Sequence, residues 1–139
     1  MAPRVQDITV TPALFVDPLL SVARAATLLS ERQMEGLLVA DEDGWYGIVT
    51  TADIREKALF AHQDPDMITV RDIMMPCPPT ANPVWPVASC VSLMDTLGTR
   101  CLPVADQEGF IICLVAPTES ADSVKYPPHG DVYDPKGRR

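Results

Sequence analysis

The chain has 139 residues, 47% of them hydrophobic, which is enough to bury a core as one compact domain or two small coupled units. Its 11 Lys and Arg stand against 19 Asp and Glu, a net charge of −8, so nucleic-acid phosphate and anionic membrane surfaces are repelled and neither is an expected partner. No apolar run approaches the ~20 residues of a spanning helix, and Met1-Ala2-Pro3-Arg4-Val5-Gln6-Asp7 lacks the apolar core of a signal peptide, so a cytoplasmic location is expected.

From the N-terminus onward the chain reads as one pattern written twice. Val5-x-Asp7-Ile8 returns 65 positions later as Val70-x-Asp72-Ile73. The same offset pairs Pro18 with Pro83, Val22-Ala23 with Val87-Ala88, Leu28 with Leu93 and Leu37 with Leu102. It also pairs Val39-Ala40-Asp41 with Val104-Ala105-Asp106 and Gly44 with Gly109, and no gap is needed. A tandem duplication with units near 5–61 and 70–124 follows. With flanks assigned, the units are 1–62 and 70–124, the linker 63–69 contains Asp64-Pro65-Asp66-Met67, and 125–139 is an extended or disordered tail.

Each unit opens with a short extended piece, Leu14-Phe15-Val16 or Pro79-Thr80-Ala81, and then turns at Asp17-Pro18 or Asn82-Pro83. A helix is predicted next: Val22, Ala25, Ala26 and Leu29 recur at helical spacing, as do Val87, Cys90, Val91 and Met94. Ser21 suits an N-cap, whereas its counterpart Pro86 suits a first helical position. Gly98 stops the second of these helices, and Gly36 lies just past the first.

Two strands joined by an acidic turn come next, Leu37–Ala40 to Trp45–Val49 and Leu102–Ala105 to Phe110–Val115, with Gly44 and Gly109 placed for a tight turn. A closing helix carries Ile54, Ala58 and Ala61 on one stripe. Its copy, Pro117-Thr118-Glu119-Ser120-Ala121-Asp122, is short and weakly apolar. The predicted fold class is α/β (α+β), two β-α-β-β-α units stacked because one alone buries its sheet poorly.

The stretch Gly47-Ile48-Val49-Thr50-Thr51-Ala52-Asp53-Ile54 passes from an apolar strand into a helix entrance, where two hydroxyls and a carboxylate gather. Elsewhere the sequence is poor in reactive patterns. Cys77, Cys90, Cys101 and Cys113 stand 13, 11 and 12 positions apart, without metal or redox spacing, and are expected to be reduced, mostly buried thiols. His62 and His129 have no partner at catalytic or metal spacing and are expected at the surface. No nucleophile–base pair, metal cluster or Gly-rich phosphate loop is present, so an enzyme is not expected.

The repeat order, the Val-x-Asp-Ile openings, Leu102-Pro103-Val104-Ala105-Asp106 and above all Gly47–Ile54 make the chain resemble a pair of cystathionine-β-synthase-type (CBS) domains, a Bateman module, up to about Ser123. The resemblance implies a regulatory, ligand-sensing role on a partner protein. It implies an adenosyl compound (AMP, ADP, ATP or S-adenosylmethionine) held between the repeats, with no required cofactor, and a homodimer. Carried over by position, it implies contacts from Gly47, Thr50, Thr51 and Asp53 in the first repeat, and from Pro78, Pro79, Thr80 and Arg100 in the second. A carboxylate can accept two hydrogen bonds from a ribose diol, and an arginine suits phosphate.

The second cleft departs from this pattern. Gly47 is replaced by Ile112, Thr50 by Val115 and Asp53 by Thr118, and Glu35 stands where Arg100 would be. One competent site per chain is expected.

Plainer readings stand beside these. Thr50-x-x-Asp53 is also a helix-capping pattern, Arg100 a solvated charge, and Gly47 a bulge or close-packing position. Trp45 and Phe110 read as packing residues, and Met74-Met75 as a filler of core gaps. The acidic turns at 41–43 and 106–108 read as solvated hairpin charge rather than as ion sites. Leu19-Leu20 and Val84-Trp85, at corresponding places, would bury against the chain or form a self-complementary dimer surface. The alternative function is a structural or dimerisation module with an empty cleft.

Overall fold

A computed structural model describes residues 2–41, 46–59, 61–116, 123–126 and 128. Among the described residues, eight strands are arranged in two four-stranded sheets. They are β1 (Thr9–Pro12), β2 (Phe15–Val16), β3 (Gly36–Ala40), β4 (Tyr46–Thr50), β5 (Met75–Pro76), β6 (Leu102–Ala105), β7 (Ile111–Val115) and β8 (Val124–Lys125). The helices are α1 (Val22–Arg32), α2 (Thr51–Ile54), α3 (Val70–Ile73) and α4 (Val87–Leu97). One sheet runs β2-β3-β4-β5 and the other β6-β7-β1-β8, a mixed α+β architecture.

The sheets do not follow the sequence repeats. β1 pairs antiparallel with β7, Thr11 opposite Leu114, while β5 pairs with β4, Gly47 opposite Pro76. The opening segments exchange in the same reciprocal way. Val5 N–H donates to the Trp85 carbonyl at 3.0 Å and Val87 N–H to Pro3 at 2.9 Å. At the equivalent places, Val70 N–H donates to Leu20 at 2.9 Å and Val22 N–H to Ile68 at 3.0 Å. The Val-x-Asp-Ile motif explains its own recurrence, because the Asp carboxylate takes the backbone N–H three residues earlier: Asp7 from Arg4 at 3.0 Å and Asp72 from Thr69 at 2.9 Å.

Side chains alternate across each strand, so each sheet buries two faces. Leu37, Val39 and Val49 face a core with Val22, Leu29, Ile54 and Val70. Leu102, Val104, Cys113 and Val115 join Val10, Cys90 and Met94 in its counterpart. Leu38, Tyr46 and Ile48 meet Cys101, Ala105, Ile111 and Leu114 in a third cluster shared by both sheets. Continuous apolar strands such as Gly36–Val39 follow from this double burial.

Several local expectations change in detail. Ser21 caps α1, its hydroxyl accepting from Arg24 N–H at 3.2 Å, and Pro86 holds the cap position of α4 rather than the first helical one. α4 ends at Gly98 with φ 71°, but α1 ends at Gln33 with φ 54°; Gly36 is already strand. The closing helix is regular only to Ile54 and winds as a π-type turn over Arg55–Leu59, burying Ala58 but leaving Ala61 exposed. The β6–β7 pairing passes from Val104 opposite Cys113 to Ala105 opposite Ile111, so a bulge falls at Ile112, the counterpart of Gly47. Val124 and Lys125 add an edge strand to β1.

Candidate functional site

β4 ends and α2 begins at Thr50, and the two residues singled out there form a reciprocal capping box. Thr50 Oγ1 accepts from Asp53 N–H at 3.1 Å, and Asp53 Oδ2 accepts from Thr50 N–H at 3.0 Å. The capping reading of this pattern therefore holds. It does not exhaust either group: a hydroxyl can still donate, and a carboxylate has further lone pairs. Asp53 Oδ1 lies 3.3 Å from Lys57 Nζ, which also donates to the Ile73 carbonyl at 3.2 Å. Thr50 is 2% exposed, and Thr51 and Asp53 are half-buried.

The second repeat reaches this corner through Arg100 and Cys101. Thr51 N–H donates to the Glu35 carbonyl at 3.1 Å, and the Glu35 carboxylate lies 3.7 Å from Arg100 Nε. Glu35 and Arg100 are counterparts under the repeat offset, as are Gly36 and Cys101, and both pairs meet. A Cβ on Gly36 would stand 2.6 Å from Cys101 Sγ and 3.6 Å from Thr50 Cγ2. Burial pushes the Cys101 thiol up to about 12, with the Glu35 and Asp53 carboxylates adding to the rise.

Gly47 sits differently. A Cβ there would stand 2.5 Å from Met74 Sδ and 2.8 Å from the Met75 carbonyl oxygen. Its missing side chain admits the chain's own β5 segment, the close-packing reading, and Met74 fills a gap in the core. Pro78 is buried, Pro79 exposed and Thr80 half-buried. Ala81 bridges Val104 in parallel, its N–H donating to Pro103 at 2.9 Å.

In the second repeat Val115 is buried in the place of Thr50 and carries no hydroxyl to cap or bind with. Thr118 lies outside the described residues, as do Trp45, His129 and most of the 41–43 turn. A cavity of about 310 Å³ beside this repeat's core is lined by Ile8, Thr11, Cys90, Met94, Val115 and Ser123 among others.

In the 106–108 turn, Asp106 accepts from the Glu108 and Phe110 N–H groups at 2.9 and 3.0 Å, turn chemistry rather than an ion site. Cys90, Cys101 and Cys113 are buried free thiols and Cys77 is exposed. His62 is exposed with φ 58°.

Sequence reasoning did not find Glu35 as the partner of Arg100, or Lys57 as that of Asp53. The first was recoverable, since counterparts near a pseudo-two-fold axis can touch each other. The second follows from the i, i+4 spacing.

The CBS domain model matches residues 5–59 and 70–117. An uncharacterized protein of Methanopyrus kandleri, MK0525, is 33% identical over 79 residues, 57% of this chain; the chain spans only 40% of that relative's length. The CBS domain pair of protein MJ0100, solved with 5′-methylthioadenosine and S-adenosyl-L-methionine, matches with TM-score 0.68 and 28% identity, over 82% of this chain and 92% of that one. CBSX2 in complex with AMP matches with TM-score 0.60 and 27% identity, over 82% and 90%. Two matched segments, reciprocal exchange of their opening elements and a shared inter-sheet core identify the chain as a member of the CBS domain family, a tandem CBS pair.

Proposed function

We propose that this chain is a regulatory module that binds one adenosyl compound at the seam between its repeats and signals occupancy to a partner protein. The observation that carries this reading is the placement of Thr50 and Asp53: their capping box lies one residue from the Glu35–Arg100 pair that bridges the repeats. Ribose hydroxyls would bond the Asp53 carboxylate, and Thr50 and Thr51 would offer hydroxyls beside it. Pro78, Pro79 and Thr80 would flank the base from the second repeat. The adenosyl ligands of MJ0100 and the AMP of CBSX2 support the ligand class.

A ligand touching both repeats would favour one relative orientation of them, and a partner that reads orientation would respond. The chemistry is binding rather than turnover. Titration calorimetry with adenosine, AMP, ADP, ATP and S-adenosylmethionine tests it. Saturable binding that is lost in Asp53→Ala supports the site, and undiminished binding by that variant removes it.

The second reading, a dimerisation module, rests on Leu19 and Val84. These counterparts are 70% and 50% exposed, whereas Leu20 and Trp85 pack against the two cores. Two apolar side chains at equivalent surface positions suit a homodimer. Light scattering is expected to give twice the chain mass at tens of micromolar, and a monomer there contradicts it. No helix among the described residues is long and apolar enough to cross a membrane.

A further inference from the structure

Glu35 links the two repeats at the corner that Thr50 and Asp53 share. Its backbone carbonyl receives the Thr51 N–H at 3.1 Å, and its carboxylate lies 3.7 Å from Arg100 Nε. It is held on both sides, by the helix entrance of the first repeat and by the guanidinium of the second. Its side chain is 29% exposed and that of Arg100 is 56% exposed, so the pair stands at the surface end of the seam rather than in the core. Asp53 contributes a second carboxylate at the same corner, already facing Lys57 at 3.3 Å.

An anionic group entering here meets two carboxylates, each already paired with a cation: Glu35 with Arg100 and Asp53 with Lys57. A phosphate bonding the other N–H groups of Arg100 stays beside the Glu35 carboxylate. Like charges brought together at a partly buried corner repel. An uncharged or cationic group meets no such opposition. Specificity is often built this way, by penalising the wrong ligand rather than by adding contacts to the right one.

Resting on the adenosyl reading above, we infer that Glu35 is a specificity-determining residue that selects adenosyl ligands with an uncharged or cationic 5′ substituent and rejects 5′-phosphates. Thr50 and Asp53 are shared by all such ligands and set affinity for the nucleoside. The Glu35–Arg100 pair reads the 5′ end.

Adenosine and AMP are the diagnostic probes, because they differ only by the phosphate. Calorimetry at physiological ionic strength is expected to show adenosine binding the native chain at least ~10-fold tighter than AMP. In Glu35→Gln the ratio is expected to collapse by ~10-fold or more, through a gain for AMP with adenosine unchanged. Arg100→Gln, which leaves Glu35 without that cation, is expected to weaken AMP further and spare adenosine.

A native chain that prefers AMP overturns the inference, as does a ratio that Glu35→Gln leaves unmoved while adenosine binding stays dependent on Asp53. In both cases the adenosyl reading survives. If neither probe binds the native chain or Glu35→Gln, the adenosyl reading fails and the inference fails with it.

Discussion

The two repeats share a backbone plan yet differ at almost every counterpart pair that could do chemistry. In the first, Thr50 and Asp53 cap a helix, Ile54 and Ala58 seat it on the core, and Gly36 leaves room at the seam. In the second, Val115 replaces the capping hydroxyl, a cavity opens beside Cys90, Met94 and Val115, and Cys101 fills the room that Gly36 leaves. The seam is therefore asymmetric by complementarity: small meets large at Gly36–Cys101, and acid meets base at Glu35–Arg100. Duplication fixed the scaffold through caps and turns, which recur because the backbone requires them. It left the residues at the axis free to diverge, provided each pair still fits.

The contact at the axis gives the largest expected effect on stability near neutral pH. Gly36→Ala forces a methyl toward Cys101 Sγ and the Val49 carbonyl and is expected to lower stability by about 1–3 kcal/mol. In a Cys101→Ala background most of that loss is expected to disappear. A double-mutant cycle by denaturant unfolding reads this coupling. Additive losses would mean that the counterparts do not press on each other.

Next comes a pH effect confined to the second repeat. Burial pushes Cys101 and Cys113 up to about 12 from an ordinary 9.0, with carboxylates adding to the rise at Cys101. Their counterparts are Gly36 and Ile48, which do not titrate. Below pH 9 the folded and unfolded chains both hold these protons, and the thiols add no pH dependence. Above it the unfolded chain releases them first, so stability falls as pH rises from about 9 toward 12. The slope is up to about 1.4 kcal/mol per pH unit for each thiol. Unfolding of Cys101→Ala across that range should show a shallower decline than the native chain, by about one thiol's share. An unchanged slope would mean that the thiol is not shielded in the folded state.

Converting the first repeat to the second is the mildest perturbation of the fold. Thr50→Val copies Val115, removes the bond to Asp53 N–H, and is expected to destabilise by ~1 kcal/mol. Chemical denaturation measures it. A loss near zero would show that the capping hydroxyl contributes nothing beyond what the second repeat manages without it.

Much of the scaffold was legible from the sequence because short-range chemistry encodes it. Asp7 and Asp72 take backbone N–H groups three residues away, and the Asp17 and Asn82 side chains take those of Leu19 and Val84 at 2.8 and 2.9 Å, so the duplication announces itself in polar residues. Gly109, with φ 91°, marks its turn. Long-range choices were not legible. Nothing local in Thr9–Pro12 says that it pairs with Leu114 and Cys113 rather than within its own repeat. Gln33 takes the left-handed position that glycine takes at 98, because an exposed polar residue tolerates it at modest strain.

At the candidate site, the local half, Thr50 with Asp53, was readable as capping. The Glu35–Arg100 half needed the axis. The Gly47 position was readable as close packing, but its partner Met74 comes from beyond the linker.

The central claim is that only the first repeat's helix entrance is equipped to hold a nucleoside. Calorimetric titration of the native chain with adenosine, set beside Asp53→Ala, tests it most directly. The account predicts one adenosine bound per chain and none in the variant. Two per chain, or undiminished binding by Asp53→Ala, would contradict it.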